Sequence, residues 1–175
     1  MTSEERRFLL DHLARTRTLL LDAVAGLSAA QWHFEPEPDV WSIAHCAGHV
    51  ELTEASIFAR LTGPHDRPAK AVDRTDDFIL RAVRGRKHRA TAPEPLRPAS
   101  LHAKPEEFAR NFIALRNRVI DYVALTTADV RANQDPHFAL QMLDGYQWLL
   151  LIGSHAERHA AQIDEIKRHP SFPRV

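Results

Sequence analysis

A single cysteine, Cys46, cannot close an internal disulfide, so neither a disulfide scaffold nor a cysteine-rich zinc module is open to this chain. Basic and acidic residues balance at 23 each, which leaves no net field to draw in nucleic acid or an anionic membrane. The longest apolar run, Trp148 to Ile152, is far below the about 20 residues that a bilayer span requires. The opening Met-Thr-Ser-Glu-Glu-Arg-Arg has no apolar signal core and no small-residue cleavage site, so a cytoplasmic protein without a membrane segment is expected. Paired carboxylates for acid and base work, a nucleophilic serine elbow and a phosphate-cradling glycine loop are all missing. If a metal is bound, histidine must hold it, and there are 11 histidines.

A length of 175 residues suits one domain with a full core, taken here as 1–175. Leu9, Leu13, Thr16, Leu20, Val24 and Leu27 recur at three and four residue steps and predict a first helix from about Glu4 to Gly26. Pro36 and Pro38 mark a loop, after which Ser42 caps a second helix to about Leu61, stapled by Trp41 and Cys46 and ended by Gly63-Pro64. Thr75-Asp76-Asp77 opens a short helix stopped by Gly85, and Pro93, Pro95 and Pro98 make an extended connector. A third helix runs from Pro105 to about Leu125 with Phe108, Phe112, Leu115, Val119 and Tyr122 as its buried stripe. After a loop holding Pro136 and His137, the pair Asp144 and Gln147 opens a fourth helix that continues to about Arg168. With no alternating strand pattern, the class is all-α, a four-helix bundle. The segment between helices two and three is long enough to cross the bundle, which leaves an up-down-down-up order open.

Trp148, Leu151, Ile152, His155, His159, Gln162, Ile163 and Ile166 share one face of helix four. Residues at i and i+4 lie about 5–6 Å apart at Cβ, so His155 and His159 can grip one ion. Buried without a partner, each imidazole would cost about 1–3 kcal/mol, which argues against passive filler. His49 lies about 10 Å into helix two and His159 about 14 Å before the end of helix four. Antiparallel packing brings them to similar depth, as a facial tri-histidine site with positions left open. Glu157 turns about 200° from the first histidine, so His155-Ala156-Glu157-Arg158-His159 is not the glutamate-bearing helix of zinc proteases. Gln162 stays near the ligand line.

These pieces, Trp41-Ser42-Ile43 with His49 eight residues after the tryptophan, and Gln147-Trp148-Leu149 leading to His155-x-x-x-His159-x-x-Gln162-Ile163, resemble the DinB-like superfamily of metal-binding four-helix bundles. The resemblance implies an up-down-down-up bundle, His49, His155 and His159 as metal ligands, and a homodimer. It also implies a thiol-dependent transferase or isomerase, or a metal-dependent hydrolase, acting on a small molecule. A dipositive ion acidifies a bound thiol without a separate base, whereas hydrolysis also needs a group to carry protons, and the sequence offers no evident one. The expected function is therefore S-transfer or isomerisation on a small electrophile. A hydrolase of a small ester or amide and a non-catalytic metal-binding stress or interaction module stand as alternatives. Imidazole ligands do not separate zinc from nickel, iron or manganese. A low-molecular-weight thiol is the expected co-substrate, with no nucleic-acid partner.

His45 shares the face of His49 one turn earlier and reads as a pocket-rim residue, a fourth ligand or a hydrogen-bonding support. His137 is a further rim candidate, and Cys46 reads as packing. The basic run Arg81, Arg84, Arg86, Lys87 and Arg89 reads as a solvated face, with an anion-holding role at the pocket mouth as the alternative.

Overall fold

Side-chain caps set where the helices begin. In the computed structural model, which describes residues 1–64, 72, 74–86, 91–98 and 102–174, Thr2 and Glu5 form a reciprocal capping box that opens α1 (Ser3–Val24). Ser28 and Gln31 do the same for a one-turn α2 (Ala29–Trp32), Ser42 and His45 for α3 (Ile43–Thr62), and Asp144 and Gln147 for α6 (Gly145–Lys167). Thr75 caps α4 (Asp76–Arg84), and α5 (Pro105–Leu125) starts on a proline whose missing N–H is not needed there. Gly26 follows α1 at φ +69, a left-handed turn that a side chain would strain.

Two short elements depart from the sequence reading. One is α2. The other is an antiparallel hairpin, β1 (Gln134–His137) with β2 (Gln141–Asp144), in the segment expected to be a loop. Its strands have four residues each and no alternating pattern; Leu143, fully buried, anchors the second, and Gln141 turns the chain at φ 67. The all-α class otherwise holds. His65, His88, Lys87 and Arg89 lie outside the described residues.

Contacts between helices fix their directions. His12 bonds Leu150 and Arg15 bonds Glu157, so α1 and α6 run parallel. Arg6 reaches the Val123 and Ala124 carbonyls while Arg116 reaches that of Leu13, so α5 is antiparallel to α1. His49 meets His155, and Leu61 lies against Gly145, so α3 opposes α6. The order is up-down-down-up, with α4 packed on α6 in the crossover. Arg131 fastens that end: its guanidinium reaches Glu5, Asp76 and Asp144 at 2.7 Å each and lies 4.2 Å from the Tyr146 ring centroid.

The core falls into two apolar clusters with a polar layer between. Leu13, Ile57, Val119 and Ile152 belong to one; Leu20, Val50, Phe112 and Ala156 belong to the other. Between those positions sit Thr16, Glu54, Arg116 and His155. Arg116, fully buried, holds Glu54 through two bonds of 2.7 and 2.6 Å and also donates to the Leu13 carbonyl and Thr16 Oγ1. Arg116 takes the inner position that the sequence stripe gave to Leu115, which is half-buried, as is Tyr122. Residues Gly145–Ser154 of α6 are all buried, so this helix is central and not one-sided as its stripe suggested.

Candidate metal centre

The polar layer continues into a cluster of three imidazoles contributed by two helices. On α6, His155 and His159 stand one turn apart with Nε2 atoms 3.1 Å from each other; from α3, His49 Nε2 comes to 3.1 Å from His155 Nε2. A nitrogen from each of the three lies within 4.8 Å of the other two. Zinc-type bonds of about 2.0–2.1 Å place the nitrogens sharing one ion about 3.0–3.4 Å apart, so the spacing fits a single ion.

The hydrogen-bond inventory points the same way. His49 donates from Nδ1 to the Leu96 carbonyl at 2.7 Å, which leaves its Nε2 as a lone pair when the ring is neutral. Burial holds all three imidazoles below their ordinary pKa, His155 and His159 well below it, and so keeps them neutral. His159 Nδ1 is buried with no partner among the described residues. A proton there faces nothing, and a proton moved to Nε2 still leaves three nitrogens crowding one point with too few protons to link them. One cation accepts all three lone pairs, and the residues present therefore fit a divalent metal.

Sequence reasoning gave the three histidines but not what holds them. The Leu96 carbonyl comes from a 3-10 turn at Glu94–Leu96 in the proline-rich connector, a long-range partner with no local signal. Trp41 packs its ring 5.0 Å from His49 and 6.5 Å from His159, centroid to centroid. His45 stacks on Trp41, and its Nδ1 lies 2.8 Å from Ser42 Oγ in the α3 cap; it stands on the cavity wall and is not a member of the triad. Cys46 is fully buried and its thiol is pushed up to about 12 by burial, so it packs.

The triad opens into a cavity of about 1650 Å³. His137 is on its wall as expected, its Nδ1 accepting from the Ala139 and Leu140 amides, and burial lowers its pKa to about 4. Gln162 is there too, and so is part of the basic run read as a solvated face. Arg86 clamps Glu165 through two bonds and donates to Gln162 Oε1 at 3.3 Å, one turn beyond His159. Arg84 instead pairs with Glu157 on another side of α6, and exposed Arg81 pairs with Asp77. Thr53 and Trp148, also on the cavity wall, bury Oγ1 and Nε1 without a partner among the described residues.

Comparison with known proteins agrees with this architecture. The family model described as the DinB superfamily matches residues 12–163. A protein of Bacillus subtilis (strain 168) described as "Uncharacterized protein YuaE" is 26% identical over 143 residues, 81% of this chain and 86% of that protein. A solved structure, YfiT from Bacillus subtilis, is described as "a probable metal-dependent hydrolase with an unusual four-helix bundle topology". It superposes with a TM-score of 0.61 at 15% identity, covering 99% of this chain and 91% of the other, a likeness of fold. No helix among the described residues is long and apolar enough to cross a membrane.

Proposed function

Because the chain belongs to the DinB superfamily, we propose that it is a metal-dependent enzyme, with one divalent ion on His49, His155 and His159, that joins a small thiol to a small electrophile. The observation that carries this reading is the convergence of three neutral imidazoles on one point, with no carboxylate in the group among the described residues. An ion held there supplies Lewis acidity to a thiol or water brought to it.

The chain's own residues do the rest. The Leu96 carbonyl fixes the His49 tautomer and ring orientation, which directs Nε2 inward. Trp41 covers two of the imidazoles and limits the approach of water from that side. A cavity of about 1650 Å³ has room for a thiol and a second molecule together. A thiol acidified at such a site is a nucleophile without further help. Hydrolysis also needs a group that carries a proton, and two side chains of the cavity wall already hold hydrogen bonds, His45 Nδ1 with Ser42 and Glu165 with Arg86. Hydrolysis is the second reading, favoured by the description of YfiT.

The test is turnover by metal-loaded protein of activated aryl halides and epoxides with a thiol, beside nitrophenyl esters without one. The expected result is thiol-dependent turnover that is lost in His155→Ala. Ester cleavage with no thiol would establish the hydrolase instead, and metal-loaded protein inert in both assays would leave a metal-binding module. Elemental analysis across zinc, nickel, iron and manganese decides the ion.

A further inference from the structure

We propose that the part of the cavity under the hairpin takes the body of the substrate, and that this small molecule is an apolar acid whose charged end is held at Arg60, far from its reacting atom. The proposal rests on the metal-site reading for the position of the reacting atom and deepens it by naming the substrate class.

Helix direction divides the cavity at the triad. Because α3 and α6 are antiparallel, residues after His49 and residues before His155 lie on the same side of it, the side from which β2 leads into α6. There Ile57 from α3, Leu151 from α6, and Phe138 and Leu140 from the hairpin line the wall. Phe138 is 67% exposed and stacks on His137 with centroids 4.5 Å apart, which stands a large apolar ring at the opening. An apolar wall with a few placed polar groups is the usual make-up of a small-molecule pocket.

The polar groups on this side are donors. Among its described wall residues on α3, α6 and the hairpin none is a carboxylate, since Glu35 and Asp39 precede α3 and Glu165 follows His159. Arg60 is the cation among them; Arg81, on α4, is already paired with Asp77. Arg60 makes no ion pair with a described residue, and its guanidinium lies over the Trp148 ring, 5.2 Å from the centroid. The His137 ring is 5.3 Å from the same indole. His137 Nδ1 accepts from the Ala139 and Leu140 amides and burial keeps the ring neutral, so its single proton sits on Nε2 as a donor. Trp148 Nε1, which can only donate, is buried with no partner among the described residues, and so is Thr53 Oγ1, one turn beyond His49. Donors gathered without an acceptor call for a ligand that brings one. The unpaired guanidinium among them selects a carboxylate over a neutral carbonyl.

Spacing sets the length of the ligand. At about 1.5 Å of rise per residue, Trp148 stands about 10 Å along α6 from His155, and Arg60 about 16 Å along α3 from His49. The long arginine side chain can reach back over part of that distance, so acid and reacting atom lie about 10 Å or more apart. An extended chain of seven or eight carbons, or a ring system of that length, spans the gap past Ile57 and Leu151.

The test uses thiols, which anchor at the ion while the rest of the molecule samples the cavity. Calorimetry of metal-loaded protein compares 8-mercaptooctanoate with its neutral analogue 8-mercaptooctanol and with the short acid 3-mercaptopropionate. Wild type, Arg60→Gln, Phe138→Ala and the remote control Arg110→Gln are each checked for metal content and helical circular dichroism; Arg60 and Phe138 are both exposed, so neither change opens the core. The expected result is that wild type and Arg110→Gln bind the long acid at least tenfold tighter than either other thiol. Arg60→Gln reduces the advantage over the alcohol to within about threefold, and Phe138→Ala weakens the long acid at least threefold while 3-mercaptopropionate binds as before. A metal-loaded wild type that binds the long acid no better than the alcohol or the short acid overturns the proposal. So does an advantage over the alcohol that survives in Arg60→Gln, or long-acid binding untouched in Phe138→Ala. Octanoate titrated into metal-free protein separates the two claims: if the chain takes no metal, the metal-site reading fails, and the acid-binding arm stands if octanoate binds wild type at least fivefold tighter than Arg60→Gln and falls if it does not.

Discussion

Replacing Glu54 with glutamine removes one charge from a pair that the bundle has taken almost wholly out of water. Glu54 is 2% exposed and Arg116 fully buried, with two guanidinium–carboxylate bonds between them. The amide keeps one acceptor oxygen but turns an NH2 group toward a donor, and it leaves the Arg116 charge uncompensated beside Leu13 and Thr16. Breaking a buried pair from one side costs about 3–5 kcal/mol, and the retained acceptor places this change near the lower end, about 3 kcal/mol. For a chain of this size that lowers the melting temperature by about 6–12 °C. Urea unfolding followed by circular dichroism measures it, as a lower midpoint at unchanged slope. Arg116→Met alone strands the carboxylate and loses a similar amount, whereas Glu54→Leu with Arg116→Met together loses much less than the two singles added. A loss below about 1 kcal/mol for Glu54→Gln, or additivity in the double variant, would refute the claim that this pair is a desolvated, mutually dependent unit.

Acid should destabilise the fold through His12, whose pKa burial lowers to about 4. Its contribution is complete above the unfolded value near 6.5 and is lost as pH falls from there toward 4, because the unfolded chain takes up a proton that the folded one refuses; the total is about 3 kcal/mol, and His12→Leu flattens that slope. Gly153→Ala places a methyl group inside contact distance of the His12 ring, which is held by Leu150 and Ser154, and is expected to cost about 1–3 kcal/mol or more. The same substitution in a His12→Ala background costs less, a coupling that denaturation of the four proteins reveals. Metal uptake should resist mild acid, since burial keeps the three imidazoles neutral to below their ordinary value; a titration of bound metal that already halves near pH 7 would contradict this.

The helices were legible because their ends are written locally. Ser42, Thr75, Asp144 with Gln147, and Pro105 each mark a start within a few residues of the observed one. The triad was legible for a related reason: an i, i+4 pair plus a depth match between antiparallel helices is arithmetic on rise per residue, and the observed 3.1 Å approach of His49 to His155 agrees with it. What escaped was set by distant partners. Arg116 was left off the buried stripe in favour of Leu115, because its reason to be inside, Glu54, lies 62 residues away. The Leu96 carbonyl has no side-chain signature at all, and its partner His49 is 47 residues away. The hairpin forms from eight residues with no strand pattern, held by the buried Leu143. Arg86 read as a solvated charge because only the packing of α4 onto α6 brings it to Gln162 and Glu165.

Elemental analysis of tag-free protein, beside His49→Ala, His155→Ala and His159→Ala variants confirmed folded by circular dichroism, tests the central claim most directly. The account predicts close to one divalent ion per chain in wild type and its loss in all three variants. Little metal in wild type after reconstitution, or full occupancy retained when any one of the three is removed, would contradict a shared tri-histidine site.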